Sequence, residues 1–151
     1  MNDLFQFFNN SLSNGLTLKE IKEDLSIYID PEVITYCNDK ANYTSGKYSR
    51  IKLHDYSNDL FEMILICWDT GSESRIHDHP ENGCVFNLMN GCLEEHLYDS
   101  NIKLKKITTV NSNNTSYMEN SIGYHKIKCI DKAMSLHIYS PPNHKMKILG
   151  E

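Results

Sequence analysis

The segment 71-GSESRIHDHPENGCVFNLMNG-91 places two histidines, His77 and His79, on either side of an aspartate and between two glycines. Successive side chains of a β-strand point to opposite faces, so residues two apart share a face. A strand here directs both imidazoles to one side, where they can bind one metal ion, and directs Asp78 to the other. Alone, such a pair is a weak signal, because packed or exposed histidines show the same spacing.

The first forty residues predict short helices. Apolar side chains recur there at helical spacing, and residues suited to capping precede each run. The predicted starts are an Asp3 cap, a Thr17–Glu20 capping box and the Asp30-Pro31 pair, and the first helix is expected to end near Asn14-Gly15. Residues 1–40 are therefore expected to form a helical cap.

From residue 47 onward, apolar residues alternate with polar ones, which is the period of a half-buried strand. Turn residues interrupt this pattern, and Asn90-Gly91 in particular predicts a tight hairpin. Many short strands after a helical region predict a mainly β fold, with a jelly-roll barrel over residues 47–149. No linker-like stretch divides the chain, so we expect one domain, residues 1–151. The predicted strands are 47–56, 60–68, 74–79, 84–90, 92–99, 102–110, 123–129, 134–140 and 145–149.

Composition limits the classes of function. The formal net charge of −5 argues against nucleic acid or an anionic membrane as the main partner, and the cluster Lys103, Lys105 and Lys106 is interpreted as a solvated face. No apolar run approaches the ~20 residues of a membrane span, and the LFQFF run behind Asp3 lacks the form of a signal peptide. The five cysteines include no CxxC pair, which is typical of reduced thiols. We expect a cytoplasmic monomer without nucleic-acid or membrane partners.

The spacing around the histidine pair resembles a known motif. The pattern G-x5-H-x-H-x4-C-x6-G, residues 71–91, reproduces the first motif of the cupin superfamily, with Cys84 where a glutamate ligand is usual. The segment 120-NSIGYHKIKC-129 resembles the second cupin motif and contains a further histidine. The resemblance implies a small barrel of cupin type with a metal site formed by three histidines. These are His77, His79 and His125.

The missing carboxylate bears on the chemistry of such a site. Two histidines and one carboxylate form the common ferrous oxygenase arrangement. A third neutral imidazole leaves the ferrous ion with its full double positive charge, which suits an anionic thiolate from a substrate. Three protein ligands also leave three octahedral positions for a bidentate substrate and dioxygen.

More specifically, the chain resembles the cysteine dioxygenases, which are thiol dioxygenases of the cupin superfamily. The resemblance extends over roughly residues 48–142 and implies Fe(II)-dependent conversion of L-cysteine and dioxygen to cysteine sulfinic acid. The matching segments are 48-YSR-50, 63-MILICW-68, 76-IHDH-79 with Cys84, 120-NSIGYH-125 and 135-SLHIYSPP-142.

The resemblance also implies roles for individual residues. The three histidines match the iron ligands, and Arg50 matches the arginine that holds the substrate carboxylate. Tyr48 matches a tyrosine that lines the pocket. Cys84 matches a cysteine that forms a thioether with the active-site tyrosine in animal members, and is therefore not expected to be a ligand. The tyrosine and the relay that leads to it match Tyr139, His137 and Ser135, which alternation places on one strand face.

Alternative interpretations stay open. Arg50 could be a surface arginine, Tyr139 a structural tyrosine and Cys84 a small core residue. A dioxygenase for another small thiol, such as 3-mercaptopropionate, is the nearest rival enzyme, although related enzymes for that substrate tend to place glutamine at the position of Arg50. A non-catalytic metal-binding cupin is the rival outside enzymes. Residues 140–151 form a shorter tail than in animal members, and Gly83 replaces a bulkier residue, so we expect a less covered pocket.

Overall fold

The computed structural model of the protein describes residues 1–150. Three α-helices come first: α1 (Asn2–Ser13), α2 (Leu18–Ile21) and α3 (Pro31–Lys40), with a 3-10 helix over Lys22–Tyr28 between the last two. A second 3-10 helix covers His54–Tyr56. Within the described chain, no helix has both the length and the apolar character needed to cross a bilayer.

The capping signals place two of the three helix starts correctly. The Thr17 hydroxyl accepts from the Glu20 amide at 3.2 Å, and the Asp30 carboxylate accepts from the Val33 amide at 2.9 Å. The predicted Asp3 cap is wrong, since α1 begins at Asn2 with Met1 as its N-cap residue. Asp3 lies inside the first turn, where a negative charge still stabilises the positive end of the helix dipole.

The helices pack on one side of the barrel. Their apolar faces are buried with strand side chains in one continuous cluster, so the helical region covers part of the barrel core. The cluster includes Leu4, Phe8, Leu18, Leu25 and Val33 from the helical region and Phe61, Met63, Leu65, Val85 and Leu136 from the barrel.

Six strands form the antiparallel sheet, in the order β1-β2-β6-β3-β4, with β5 paired to β3. The prediction of a mainly β fold with an N-terminal helical region is confirmed. The short strand β5 was missed, because only four residues separate the 111–114 turn from the next turn. The strands are β1 (Tyr48–Lys52), β2 (Glu62–Trp68), β3 (Cys84–Tyr98), β4 (Leu104–Asn111), β5 (Thr115–Met118) and β6 (Tyr124–Tyr139).

The predicted hairpin at Asn90-Gly91 is wrong. β3 runs without a turn from Cys84 to Tyr98, and β6 pairs with it along this whole length. The pairing shifts register at several points between Leu88 and Leu93, so the strand bends there through bulges instead of reversing. Gly91 has a φ of 89°, and a side chain there would place its Cβ 2.7 Å from the Cα of Ala133. A glycine is therefore required by close backbone approach.

The predicted strands 74–79 and 145–149 are extended but irregular. His77 forms isolated bridges with His125 on one side and Ile148 on the other. The Leu149 amide donates to the Ile76 carbonyl oxygen at 2.8 Å. Further backbone hydrogen bonds join Asp78 to Lys147 and Ser74 to Ile127, but the bridges are isolated and do not form a continuous ladder.

The close approach at Gly91 predicts a stability difference. Gly71 has a similar φ of 84°, but no side chain or distant backbone atom lies within 4 Å of the position that a Cβ would occupy. It is therefore a matched control. Gly71→Ala should lower the free energy of unfolding by about 1 kcal/mol through backbone strain alone. Gly91→Ala should lower it by about 2 kcal/mol more, because Cβ meets backbone atoms. Urea unfolding measures both, and equal losses would contradict the proposed packing at the bulge.

Candidate active site

The structure brings the three predicted metal ligands together. His77 and His79 come from the segment between β2 and β3, and His125 is the second residue of β6. One ring nitrogen from each lies within 4.8 Å of the others, and the residues are 8, 2 and 5 % exposed, respectively. The Nε2 atoms of His77 and His125 are 3.0 Å apart.

The hydrogen bonds of these rings fit a metal ion. The Nδ1–H of His77 donates to the Arg75 carbonyl oxygen at 2.7 Å, which leaves the lone pair of Nε2 directed at the cluster. Neither ring nitrogen of the buried His79 has a hydrogen-bond partner in the described chain. Buried polar atoms are normally paired. A cation bound between the rings would satisfy one of the two His79 nitrogen atoms.

Burial keeps the imidazoles of His77 and His79 neutral, which is the form that binds metals. Burial, together with the nearby His125 ring, lowers the pKa of His77 to about 4 and that of His79 to about 2. The site therefore offers uncharged nitrogen ligands at neutral pH.

Asp78 points away from the cluster, as the alternation of side chains predicted. Its Oδ1 accepts from the Lys147 amide at 2.7 Å and from Nε2 of His144 at 3.0 Å. These bonds fasten the C-terminal segment beside the metal ligands, and Met146 of that segment reaches the adjacent pocket. The tail, although short, thus contributes to the pocket wall.

A pocket lies next to the histidine cluster. It contains most of the predicted site residues together with an apolar wall, so it can hold a small molecule that has both polar and apolar parts. The predicted residues that line it are Tyr48, Arg50, His77, Cys84, His125, His137 and Tyr139; Ile66, Trp68, Ser74, Ile127 and Met146 complete the lining.

The predicted Ser-His-Tyr arrangement is a connected chain of hydrogen bonds on β6. Ser135 Oγ lies 2.7 Å from Nε2 of His137, and the Tyr139 hydroxyl lies 3.4 Å from Nδ1 of the same ring. The indole N–H of Trp68 donates to Ser135 Oγ at 2.9 Å, so the hydrogen-bond network includes one residue more than predicted. Phe86 stacks on the His137 ring at 4.7 Å between centroids and fixes its plane.

Cys84 and Tyr139 face each other across paired strands. They are direct partners in the register of β3 and β6, and side chains in such pairs have Cβ atoms about 5 Å apart. Burial raises the pKa of both the Cys84 thiol and the Tyr139 hydroxyl, so both groups are protonated at neutral pH. The guanidinium carbon of Arg50 lies 5.5 Å from the Tyr139 ring centroid. Arg50 is exposed and lines the pocket, which places it at the mouth.

Two polar residues beside the cluster were not predicted as site residues. Asn120 Oδ1 accepts from the His79 amide at 2.9 Å, and its Nδ2 donates to the His79 carbonyl oxygen at 3.2 Å. Glu95 accepts from Nδ1 of His125 at 2.7 Å. In the sequence, Glu94-Glu95 looks like a solvated charge pair, although spacing two from the apolar Leu93 places Glu95 on the inward face.

Comparison with solved structures shows which fold the chain has. An uncharacterized conserved protein with a double-stranded β-helix domain from Klebsiella pneumoniae subsp. pneumoniae is similar with a TM-score of 0.63 and 12% identity, covering 76% of this chain and 95% of that one. A cupin superfamily protein from Desulfitobacterium hafniense is similar with a TM-score of 0.56 and 10% identity, covering 68% and 84%. These similarities show that the chain has the double-stranded β-helix fold, and the histidine cluster adds a candidate metal site to it.

Sequence comparison identifies the family. The family model described as cysteine dioxygenase type I matches residues 25–150, and the chain belongs to this family. Cysteine dioxygenase type 1 from Rattus norvegicus is 37% identical over 111 residues, and that from Danio rerio is 33% identical over 112 residues. Each alignment covers 68% of this chain and 55% of the relative, so the chain spans about half the length of the curated relatives it matches.

The burial of His137 predicts an acid-sensitive stability. Burial and the nearby Arg50 guanidinium hold the pKa of His137 well below its ordinary value of 6.5. Below pH 6.5 the unfolded chain therefore binds a proton that the folded chain does not, and the free energy of unfolding decreases as the pH decreases. In metal-free protein, the wild type should lose about 1 kcal/mol more unfolding free energy between pH 6.5 and 5.5 than His137→Gln.

Denaturant unfolding at several pH values measures this difference. His54→Gln, which alters an exposed histidine, is the control and should follow the wild type. Parallel curves for the wild type and His137→Gln would contradict a buried neutral His137.

Proposed function

We propose that this chain is an iron-dependent dioxygenase that converts L-cysteine and dioxygen to cysteine sulfinic acid. The observation that carries the proposal is one pocket, in a chain of the cysteine dioxygenase family, that lies against the cluster of three buried histidines and is also lined by His137 and Tyr139. His77, His79 and His125 would hold the iron as Fe(II). A ferrous ion at this position supplies the redox chemistry that activates dioxygen.

The neutral ligand set favours an anionic substrate. Imidazoles bind a metal ion without cancelling its charge, and imidazole and sulfur ligands both suit iron. A thiolate in the pocket would complete the charge balance beside the histidines. This supports a thiol substrate over a neutral alcohol or amine.

We assign the recognition of the substrate carboxylate to Arg50. Its guanidinium can bind a carboxylate through two parallel hydrogen bonds, and its position at the pocket mouth leaves the thiol end of the substrate free to reach the histidines. Tyr48 packs against Trp68 at 4.9 Å between ring centroids and forms part of the same wall. Tyr48 would therefore limit the width of the pocket near the bound substrate.

The network on β6 would orient the hydroxyl of Tyr139. The raised pKa of Tyr139 keeps the phenol protonated, so the O–H can donate to an anionic substrate. His137 can then donate through Nδ1 to the phenol oxygen while Ser135 donates to Nε2. The opposite tautomer of His137 accepts the phenol proton instead, so the chain can hold the hydroxyl in either orientation.

Cys84 would support Tyr139 and not bind the metal. Its thiol is protonated and lies opposite the tyrosine on the neighbouring strand. The thioether between the two residues stays a prediction of the family resemblance. If it forms, the mass of the intact protein falls by two hydrogen atoms, and Cys84→Ser prevents the loss.

The position of Arg50 is compatible with one second candidate substrate. 3-Mercaptopropionate also carries a thiol and a carboxylate, and an accessible guanidinium can pair with it equally well. A non-catalytic metal-binding cupin would have no use for Arg50, Tyr139 and Cys84 around one pocket. Oxygen uptake with each thiol separates these possibilities.

The metal assignment predicts the behaviour of His79→Ala. Both iron content and oxygen uptake with L-cysteine should fall below about a tenth of the wild type, because one of three neutral ligands is lost and no carboxylate remains to anchor the ion. The measurements are iron per protein after anaerobic reconstitution and oxygen consumption with L-cysteine. His54→Ala, an exposed histidine remote in sequence, should retain both. Full activity in His79→Ala would refute the assignment.

The role of Arg50 predicts a selective loss. A hydrogen bond to a charged group contributes roughly 1.5–3 kcal/mol, and the exposure of Arg50 places the expected value at the lower end. Arg50→Ala should therefore raise the KM for L-cysteine about tenfold and leave the iron content unchanged. Cysteamine, which lacks the carboxylate, should be a poor substrate for both proteins and should barely respond. Equal penalties for the two thiols would show that Arg50 does not bind the carboxylate.

A further inference from the structure

Glu95 is a buried carboxylate one hydrogen bond from the metal site. It is 8 % exposed, and each of its oxygens has a partner. Oε2 accepts from Nδ1 of His125 at 2.7 Å, and Oε1 accepts from the Ser116 hydroxyl at 2.6 Å. A buried carboxylate is costly to retain unless it is paired in this way.

The three candidate ligands differ in what orients them. His77 donates to a backbone carbonyl oxygen, and neither ring nitrogen of His79 has a hydrogen-bond partner in the described residues. Of these three rings, His125 is the one that donates to a carboxylate. In the neutral ring, this hydrogen bond to Glu95 places the proton on Nδ1, so Nε2 carries the lone pair and faces Nε2 of His77 at 3.0 Å. The tautomer of His125 is therefore set by Glu95.

We propose that Glu95 is a positioning residue of the metal centre, which holds His125 in its metal-binding tautomer and places one negative charge behind three neutral ligands. The inference rests on the proposed metal site. Cys84 stands where the first cupin motif usually has a carboxylate ligand. Glu95 supplies a carboxylate that would act on the ion through His125 instead of binding it directly. Its charge makes the His125 nitrogen a stronger donor and lessens the repulsion between the ion and Arg50.

A purely structural role would be a different one. Glu95 could serve only to pair Ser116 of β5 and so fasten that short strand to β3. In that case the loss of Ser116 would matter as much as the loss of the carboxylate charge, and metal affinity would follow fold stability. Replacement by glutamine separates the two roles, because it keeps the shape and an accepting oxygen but removes the charge.

The test is the affinity of metal-free protein for Fe(II), measured anaerobically by competition with a chelator, with Co(II) as a spectroscopic probe. Glu95→Gln should bind each ion about tenfold more weakly than the wild type, and Glu95→Ala up to about a hundredfold more weakly. Ser116→Ala and Glu94→Gln, which leave the Glu95 carboxylate in place, should stay within about threefold. Unfolding curves of the metal-free variants show whether each one folds.

A second readout is independent of metal loading. In metal-free wild type, nitrogen NMR of the imidazoles should show His125 protonated at Nδ1, and in Glu95→Ala both tautomers should be populated. Failure of the wild type to bind Fe(II) or Co(II) at the histidines would overturn the proposed function together with this role. Two results would overturn the role of Glu95 alone. One is that the wild type binds the ions normally and both Glu95→Gln and Glu95→Ala bind them as tightly as the wild type. The other is that His125 of the wild type carries its proton on Nε2 and none on Nδ1.

Discussion

The antiparallel pairing of β3 with β6 is the constraint on which the rest of the site depends. This pairing, with its bulges between Leu88 and Leu93, places Cys84 opposite Tyr139 at one end and Leu97 opposite His125 at the other. The same β6 strand thus carries a metal ligand near its start and the tyrosine–histidine network near its end. A shift of register by one residue would turn every side chain of β6 to the other face and separate the network from the pocket.

Charge organises the site around this pairing. The three imidazoles are buried, and as neutral ligands they would bind a cation without compensating its charge. Compensation comes from outside the ligand set: Glu95 behind His125 and, in the proposed reaction, the anionic substrate in front. Arg50 at the pocket mouth then pairs with the second negative group of that substrate. The protonated Tyr139 completes the pocket with a hydrogen-bond donor that adds no charge.

Local sequence signals predicted which side chains lie together better than they predicted the course of the strands. The HxH spacing and the second motif brought His77, His79 and His125 together correctly, because ligand geometry depends on few residues. The hairpin predicted at Asn90-Gly91 was wrong, since a two-residue turn signal describes the local backbone only. The bulged strand is imposed by pairing with β6, which lies more than thirty residues away.

Long-range contacts also explain which polar contacts around the pocket were missed. Trp68 ends β2 and looks like core in the sequence, yet its indole N–H donates to Ser135 on another strand. Glu95 looks like a surface charge until β3 and β6 are paired and Nδ1 of His125 lies beside it. Neither role is visible in the spacing of residues along one segment.

The fate of molecular oxygen tests the central claim most directly. Protein reconstituted with Fe(II) is supplied with L-cysteine under oxygen-18 gas, and the product is analysed by mass spectrometry. The account predicts cysteine sulfinic acid in which both sulfinate oxygens are oxygen-18, formed only when iron and L-cysteine are both present. A product that carries a single heavy oxygen, or cystine as the sole product, would contradict it.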